Sequence, residues 1–155
     1  TTMEQRKEGL LHTSWKGRFT VINKKPLFIV DGAHNAGAAD KMAESVRHYF
    51  NGKKLIYIMG VFADKEYKIV LEKTAHFAEK IYTIETPDNP RALPAEELAK
   101  AARVYNSSAE STKSIKDAVE KAFSCAGDDE NSVILAFGSL SFIGALTNAV
   151  EEYVG

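Results

Sequence analysis

Along this chain, short apolar runs rich in β-branched residues alternate with stretches in which apolar residues recur every three or four positions. Residues 19–22, 27–30, 55–59, 81–84, 103–105 and 133–137 read as strands. Between them, Ala39, Met42, Ala43 and Val46 with Tyr49 and Phe50 form one helical stripe, and Tyr67, Val70, Leu71, Thr74, Phe77 and Ala78 form another. Leu98 with Ala102, Ile115 with Ala118, Val119 and Ala122, and Leu140 with Ile143, Leu146 and Val150 continue the series. A helical crossover returns the chain to the same end of a sheet, so this alternation predicts mostly parallel strands covered on both faces. The first two strands differ, because only Asn23-Lys24-Lys25-Pro26 joins them, and a connection that short fits a hairpin. The pattern thus predicts a three-layer α/β/α Rossmann-like domain. Its sheet is mixed and mostly parallel, of about six strands, with one antiparallel strand near the N-terminus. Segments 106–114 and 127–132 read as surface loops.

Composition narrows this picture. At 155 residues, 45% apolar and 26% charged, the chain is expected to form a single domain over 1–155, with 1–13 as a linker or helical lead-in. The net charge of -1, with Lys and Arg scattered, offers no basic stripe for nucleic acid. The lone Cys125 excludes an internal disulfide and a multi-cysteine zinc site; it suits a reducing compartment and a packing role. No apolar stretch reaches the roughly 20 residues that span a bilayer, and the start Thr1-Thr2-Met3-Glu4-Gln5-Arg6-Lys7 lacks a signal-peptide core, so a cytoplasmic protein without a membrane partner is expected. His12, His48 and His76 show no ligand spacing with acids on one face, and no metal site is assigned.

The candidate chemistry sits at the strand ends. In a parallel sheet the strand C-termini share one edge, where open α/β sheets bind ligands. Four of the ends carry polar or glycine-bearing turns: Asp31-Gly32-Ala33-His34-Asn35, Gly60 through Lys65, Thr86 through Arg91, and Gly138-Ser139-Leu140-Ser141. The first places a carboxylate, an imidazole and an amide just before a helix whose opening N–H groups can seat an anion. Each has a structural reading too: Asp31, Asn35, Asp64 and Ser139 are good helix caps, and Arg91 in a proline-bounded loop is expected to be exposed. The chain contains neither G-x-x-x-x-G-K-[ST] nor G-x-G-x-x-G. A polar cleft edge without a phosphate-gripping loop reads as half of a site.

Taken together, Ser14-Trp15-Lys16-Gly17-Arg18-Phe19, the 31–35 turn, Gly60 with Asp64-Lys65, and Phe137-Gly138-Ser139-Leu140 resemble the C-terminal domain of folylpolyglutamate synthase and dihydrofolate synthase, in the Mur ligase superfamily. The W-x-G-R and D-G-A-H-N elements carry the resemblance, which runs over residues 10–153; Lys16 stands where the family commonly has proline. The resemblance implies an ATP-dependent ligase of folate biosynthesis and one-carbon metabolism. In it a central ATPase domain, absent from this chain, carries the phosphate loop and Mg2+, while this domain closes over ATP and holds the incoming glutamate. A carboxylate of folate or dihydropteroate would be activated as an acyl phosphate and attacked by the glutamate amine.

On that resemblance Arg18 steadies charge on the transferring phosphate, Asp31 accepts the ribose hydroxyls, and His34 and Asn35 lie nearer the phosphates, with His34 positioning or deprotonating the amine. Lys65 and Ser139 bind glutamate carboxylates, and Asp64 orients Lys65 or caps the helix. The isolated chain is expected to turn nothing over. Competing readings are another Mur-type ligase acting on a cell-wall precursor, and a non-catalytic α/β binding or signalling module. A receiver module with Asp31 or Asp64 as phosphoacceptor needs a lysine after the last core strand, which Phe137-Gly138-Ser139 does not supply.

Overall fold

The computed structural model describes residues 14–15, 19–24, 26–31, 36–64, 66–87, 89–127, 129–138 and 142–155. The lead-in 1–13 and the candidate residues Arg18, His34, Asn35, Lys65 and Ser139 lie outside them. The chain runs β1 (Ser14–Trp15), β2 (Phe19–Lys24), β3 (Leu27–Val30), α1 (Ala36–Tyr49), β4 (Lys54–Gly60), α2 (Tyr67–Thr74) with a 3-10 turn (Ala75–Phe77), β5 (Lys80–Thr83), α3 (Ala95–Arg103), β6 (Ala109–Ser111), α4 (Ile115–Ala126), β7 (Ser132–Gly138) and α5 (Ile143–Val154). The strands form one sheet in the order β1-β2-β3-β7-β4-β5-β6. β2 pairs antiparallel with both β1 and β3, and the pairs β3·β7, β7·β4, β4·β5 and β5·β6 are parallel.

The mixed, mostly parallel α/β/α architecture expected from the sequence is borne out. The two-residue β1 brings the sheet to seven strands and adds a second antiparallel pairing at that end. The hairpin β2–β3 is closed by Asn23, whose Nδ2 donates to the Pro26 carbonyl at 2.9 Å.

One expectation fails. Residues 103–105 are not a strand: Arg103 ends α3, and the strand comes later, at Ala109–Ser111, inside a segment read as loop. The α3 face formed by Leu98, Ala99 and Ala102 is fully buried, so the helical period continues to Arg103 and overrides local β preference. Asn106 then anchors the turn by donating to the carbonyls of Ala75 and Ala78, both at 2.8 Å.

Alternation along the central strands builds two cores. Leu55, Tyr57 and Met59 of β4 and Val133, Leu135 and Phe137 of β7 face α1, α2 and α3. Ile56, Ile58, Ile134 and Ala136 face α4 and α5. A strand buried on both faces reads as an unbroken apolar run, as β4 and β7 do. α4 starts on a reciprocal cap: the Ser114 hydroxyl accepts the Asp117 amide at 3.0 Å, and the Asp117 carboxylate accepts the Lys113 amide at 3.0 Å. Cys125, near the end of α4, is half-buried against the second core.

Candidate functional site

Because β3, β7, β4 and β5 are neighbours and parallel, the segments after them leave the sheet side by side on one edge. The middle of that edge is bare backbone. Gly60 and Gly138 are paired in register at the ends of β4 and β7. Gly138 has φ +120, and a Cβ there would run into the Gly60 carbonyl oxygen. A Cβ on Gly60 would in turn meet Ile84 at 2.6 Å and Phe142 at 2.8 Å. Phe142, 0% exposed, thus packs against the strand ends just before α5. Glycine at both positions lets the two strand ends close together.

On the β3 side, Asp31 continues the ladder past the strand, its amide donating to the Ala136 carbonyl at 2.9 Å. Asp31 is only 7% exposed. A carboxylate held that far from water depends on hydrogen-bonding partners for its charge. Of the residues chosen for the nucleotide, Asp31 alone lies among the described ones, at the edge where the sequence placed it. Five residues on, α1 opens with Ala36, and its amide donates to Glu66 Oε1 at 3.0 Å. One of the helix-start amides expected to seat an anion is therefore taken by a carboxylate of the protein.

On the other side, the segments after β4 and β5 are laced together. Phe62 and Ala92 form an antiparallel bridge. The Ala63 amide donates to the Arg91 carbonyl at 2.7 Å, and the Leu93 amide to the Val61 carbonyl at 3.0 Å. Asn89 folds the turn, its Oδ1 accepting the Arg91 amide at 2.8 Å. Arg91 stacks over the Phe62 ring, 4.6 Å from its centroid, and donates to both oxygens of Asp64 at 2.9 to 3.2 Å. Asp64 caps no helix here: the residue before α2 is Glu66, which itself makes no cap bond to that helix. Arg91 is exposed, as expected, but it is ion-paired rather than idle.

Glu66 is a polar residue at this edge that the sequence did not single out, and Arg91 was read only as an exposed loop residue with no partner named. Each was visible only as a local pattern: an acid ahead of a helix, and an arginine after an Asn-Pro turn. Among the described residues no group of three or more His, Cys, Asp or Glu could hold a metal ion. Away from this edge, between α4 and the strands β5 and β6, lies a groove of about 550 Å³ whose lining includes Lys80, Tyr82, Glu110 and Lys121. There Glu110 bridges Lys80 and Lys121, each at 3.0 Å. Burial, with smaller contributions from Cys125 and Glu110, pushes the Tyr82 hydroxyl up to about 12.

A family model described as Mur ligase, glutamate ligase domain, matches residues 17–140. The chain belongs to this family. Within it, the chain is similar to the dihydrofolate synthase/folylpolyglutamate synthase of Bacillus subtilis strain 168, at 29% identity over 148 residues, covering 96% of this chain and 33% of that protein. It is also similar to the probable bifunctional folylpolyglutamate synthase/dihydropteroate synthase of Halobacterium salinarum, 30% identical over 139 residues, covering 85% of this chain and 16% of that one. The solved bifunctional folylpolyglutamate synthase/dihydrofolate synthase of Yersinia pestis CO92 superposes with a TM-score of 0.72 at 26% identity, over 96% of this chain and 34% of its own. This Mur ligase domain spans about a third of the length of the Bacillus and Yersinia proteins. The resemblance read from the W-x-G-R and D-G-A-H-N elements is thereby confirmed. Among the described residues of the domain, no helix is long and apolar enough to cross a membrane.

Proposed function

We propose that this chain is the C-terminal domain of an ATP-dependent, cytoplasmic ligase that joins glutamate to the carboxylate of a folate or dihydropteroate. A preceding domain would carry the phosphate loop and the magnesium ion. The observation that carries the reading is the arrangement of one edge: Asp31 buried at the end of β3, beside a second wall in which Asp64, the residue before Lys65, is held by Arg91. The relatives named for this activity support the choice of substrates.

ATP would supply the energy for activating the carboxylate; the domain's residues bind and orient. Asp31 fits the nucleotide side, because a nearly buried carboxylate at a strand C-terminus can accept hydrogen bonds from a pair of vicinal hydroxyls. Arg18 would bind the phosphate being transferred, since a guanidinium makes paired charge-assisted bonds to its oxygens. His34 and Asn35 would face the reacting centre, His34 as the group that positions or takes the amine proton. Lys65 would meet a glutamate carboxylate as a point charge and Ser139 through its hydroxyl. With Asp64 committed to Arg91, its part is to fix the chain just before Lys65 rather than to bind glutamate itself.

The reading is tested by supplying the missing wall. The chain, fused to or mixed with the phosphate-loop domain of a folylpolyglutamate synthase, should release ADP in step with glutamate and extend a folate by one glutamyl unit, as mass spectrometry would show. The chain alone should do neither. Ligation by the 155 residues unaided, or extension of a cell-wall precursor in place of folate and dihydropteroate, would overturn it.

A further inference from the structure

Glu66 stands one residue before α2, where a side chain ordinarily caps its own helix, yet it makes no cap bond there. Its Oε1 instead accepts the amide of Ala36, 3.0 Å away and 30 residues earlier. The first turn of α1 contains no acidic residue, so Glu66 supplies from outside the negative group that favours the positive end of a helix. The bond crosses from the segment after β3 to the segment after β4. Lys73 of α2 and Asp40 of α1, 2.9 Å apart, tie the same two helices a second time. Asp31 and Ala36 are thus each held by a bond to another segment, the Asp31 amide to Ala136 and the Ala36 amide to Glu66.

We propose that Glu66 is a positioning residue: by holding the first amide of α1, it keeps the start of that helix and the segment that ends at Asp64 at one fixed spacing. The inference rests on the function proposed above, because it takes those segments as the two walls of the ligase site. Reacting groups need placement to within about 0.5 Å, and a 1 Å error can cost on the order of 100-fold in rate. A hydrogen bond between the two walls serves that requirement directly. Glu66→Gln keeps an acceptor oxygen at the same reach and loses only charge, whereas Glu66→Ala loses both.

Amide hydrogen exchange on the 155-residue chain tests the coupling without ligand or activity. In E66A the Ala36 amide should exchange at least about tenfold faster, with protection also falling around Asp31 and across residues 61–66 while β4 and β7 stay protected. E66Q should restore most of it. Unchanged exchange at Ala36, or a uniform rise through the whole chain, would overturn the proposal. In the enzyme completed with a phosphate-loop domain, E66A should raise KM for ATP and for glutamate together by about tenfold, and E66Q by less. A lower Tm with both KM values unchanged would reduce Glu66 to a structural residue and overturn its positioning role. Failure of the unsubstituted two-domain protein to ligate anything would count instead against the proposed function, with the exchange result still deciding whether Glu66 couples the walls.

Discussion

Asp64 commits both carboxylate oxygens to the guanidinium of Arg91, with nitrogen to oxygen distances of 2.9 to 3.2 Å. Both side chains are at least half exposed, so water screens the pair and its contribution to stability is below about 1 kcal/mol. Its value lies in geometry, since a planar fork on a carboxylate fixes direction as well as distance. Arg91→Ala should therefore leave the urea midpoint nearly unchanged while raising the glutamate KM of the completed enzyme several-fold. Arg91→Lys should recover little of this, because an ammonium cannot make the fork. Steady-state kinetics beside urea denaturation separates the two effects, and an unaltered KM in R91A would remove Arg91 from the site.

Gly138 offers a test of how the middle of the edge is built. An alanine there must adopt φ +120 and also push its Cβ into the Gly60 carbonyl, so Gly138→Ala should destabilise by about 3 kcal/mol or more. Gly52 is the control: its φ is +84 but nothing lies within 4 Å of a Cβ, so Gly52→Ala should cost only about 1 kcal/mol of backbone strain. Urea denaturation of both variants would resolve the difference. Equal losses would mean that backbone angle alone explains the glycines.

Periodicity made the central sheet legible because residues 55–59 of β4 and 133–137 of β7 are apolar and buried on both faces. It failed at residues 103–105, where a buried helical face of three residues outweighed a local Arg-Val-Tyr alternation. The three-residue β6 is too short to show a period at all. At the edge, Asp31 was legible because its turn follows a strand and precedes a helix. The Glu66 and Arg91 contacts were not, since they join residues 30 and 27 positions apart and no local pattern encodes which distant group a side chain will meet.

Glu110 gives the fold a pH dependence of known sign. Hydrogen bonds from Lys121 first, then Lys80, hold its carboxyl below the ordinary carboxylate range. The unfolded chain takes up this proton at the ordinary pKa, the folded chain only at lower pH. The stabilisation is therefore fully present above the unfolded value and is lost as pH falls through the folded one. Glu96, held low by Ser111 and then Arg103, acts in the same direction. Glu110→Gln should flatten part of the acid limb of stability, between about pH 3 and 5, and lower stability at neutral pH by less than about 1 kcal/mol because the side chain is 42% exposed. Urea midpoints across that range are the measurement; an acid limb as steep as in the unsubstituted chain would contradict the assignment.

The proposed division of labour along the edge predicts that three substitutions separate kinetically in the completed enzyme. Asp31→Ala removes the acceptor on the nucleotide side and should raise the KM for ATP by about tenfold or more, with little change for glutamate, because a buried carboxylate hydrogen-bonded to ligand contributes roughly 1.5 to 3 kcal/mol. Ser139→Ala should show the opposite pattern, by a smaller factor, since one neutral hydroxyl is lost. Arg18→Ala should lower kcat and leave the glutamate KM alone, because its proposed partner is charge that grows only during transfer. Initial rates with each substrate varied in turn distinguish the three. A glutamate-affinity defect in R18A, or unchanged kinetics in both D31A and S139A, would mean that the two walls have been assigned to the wrong ligands.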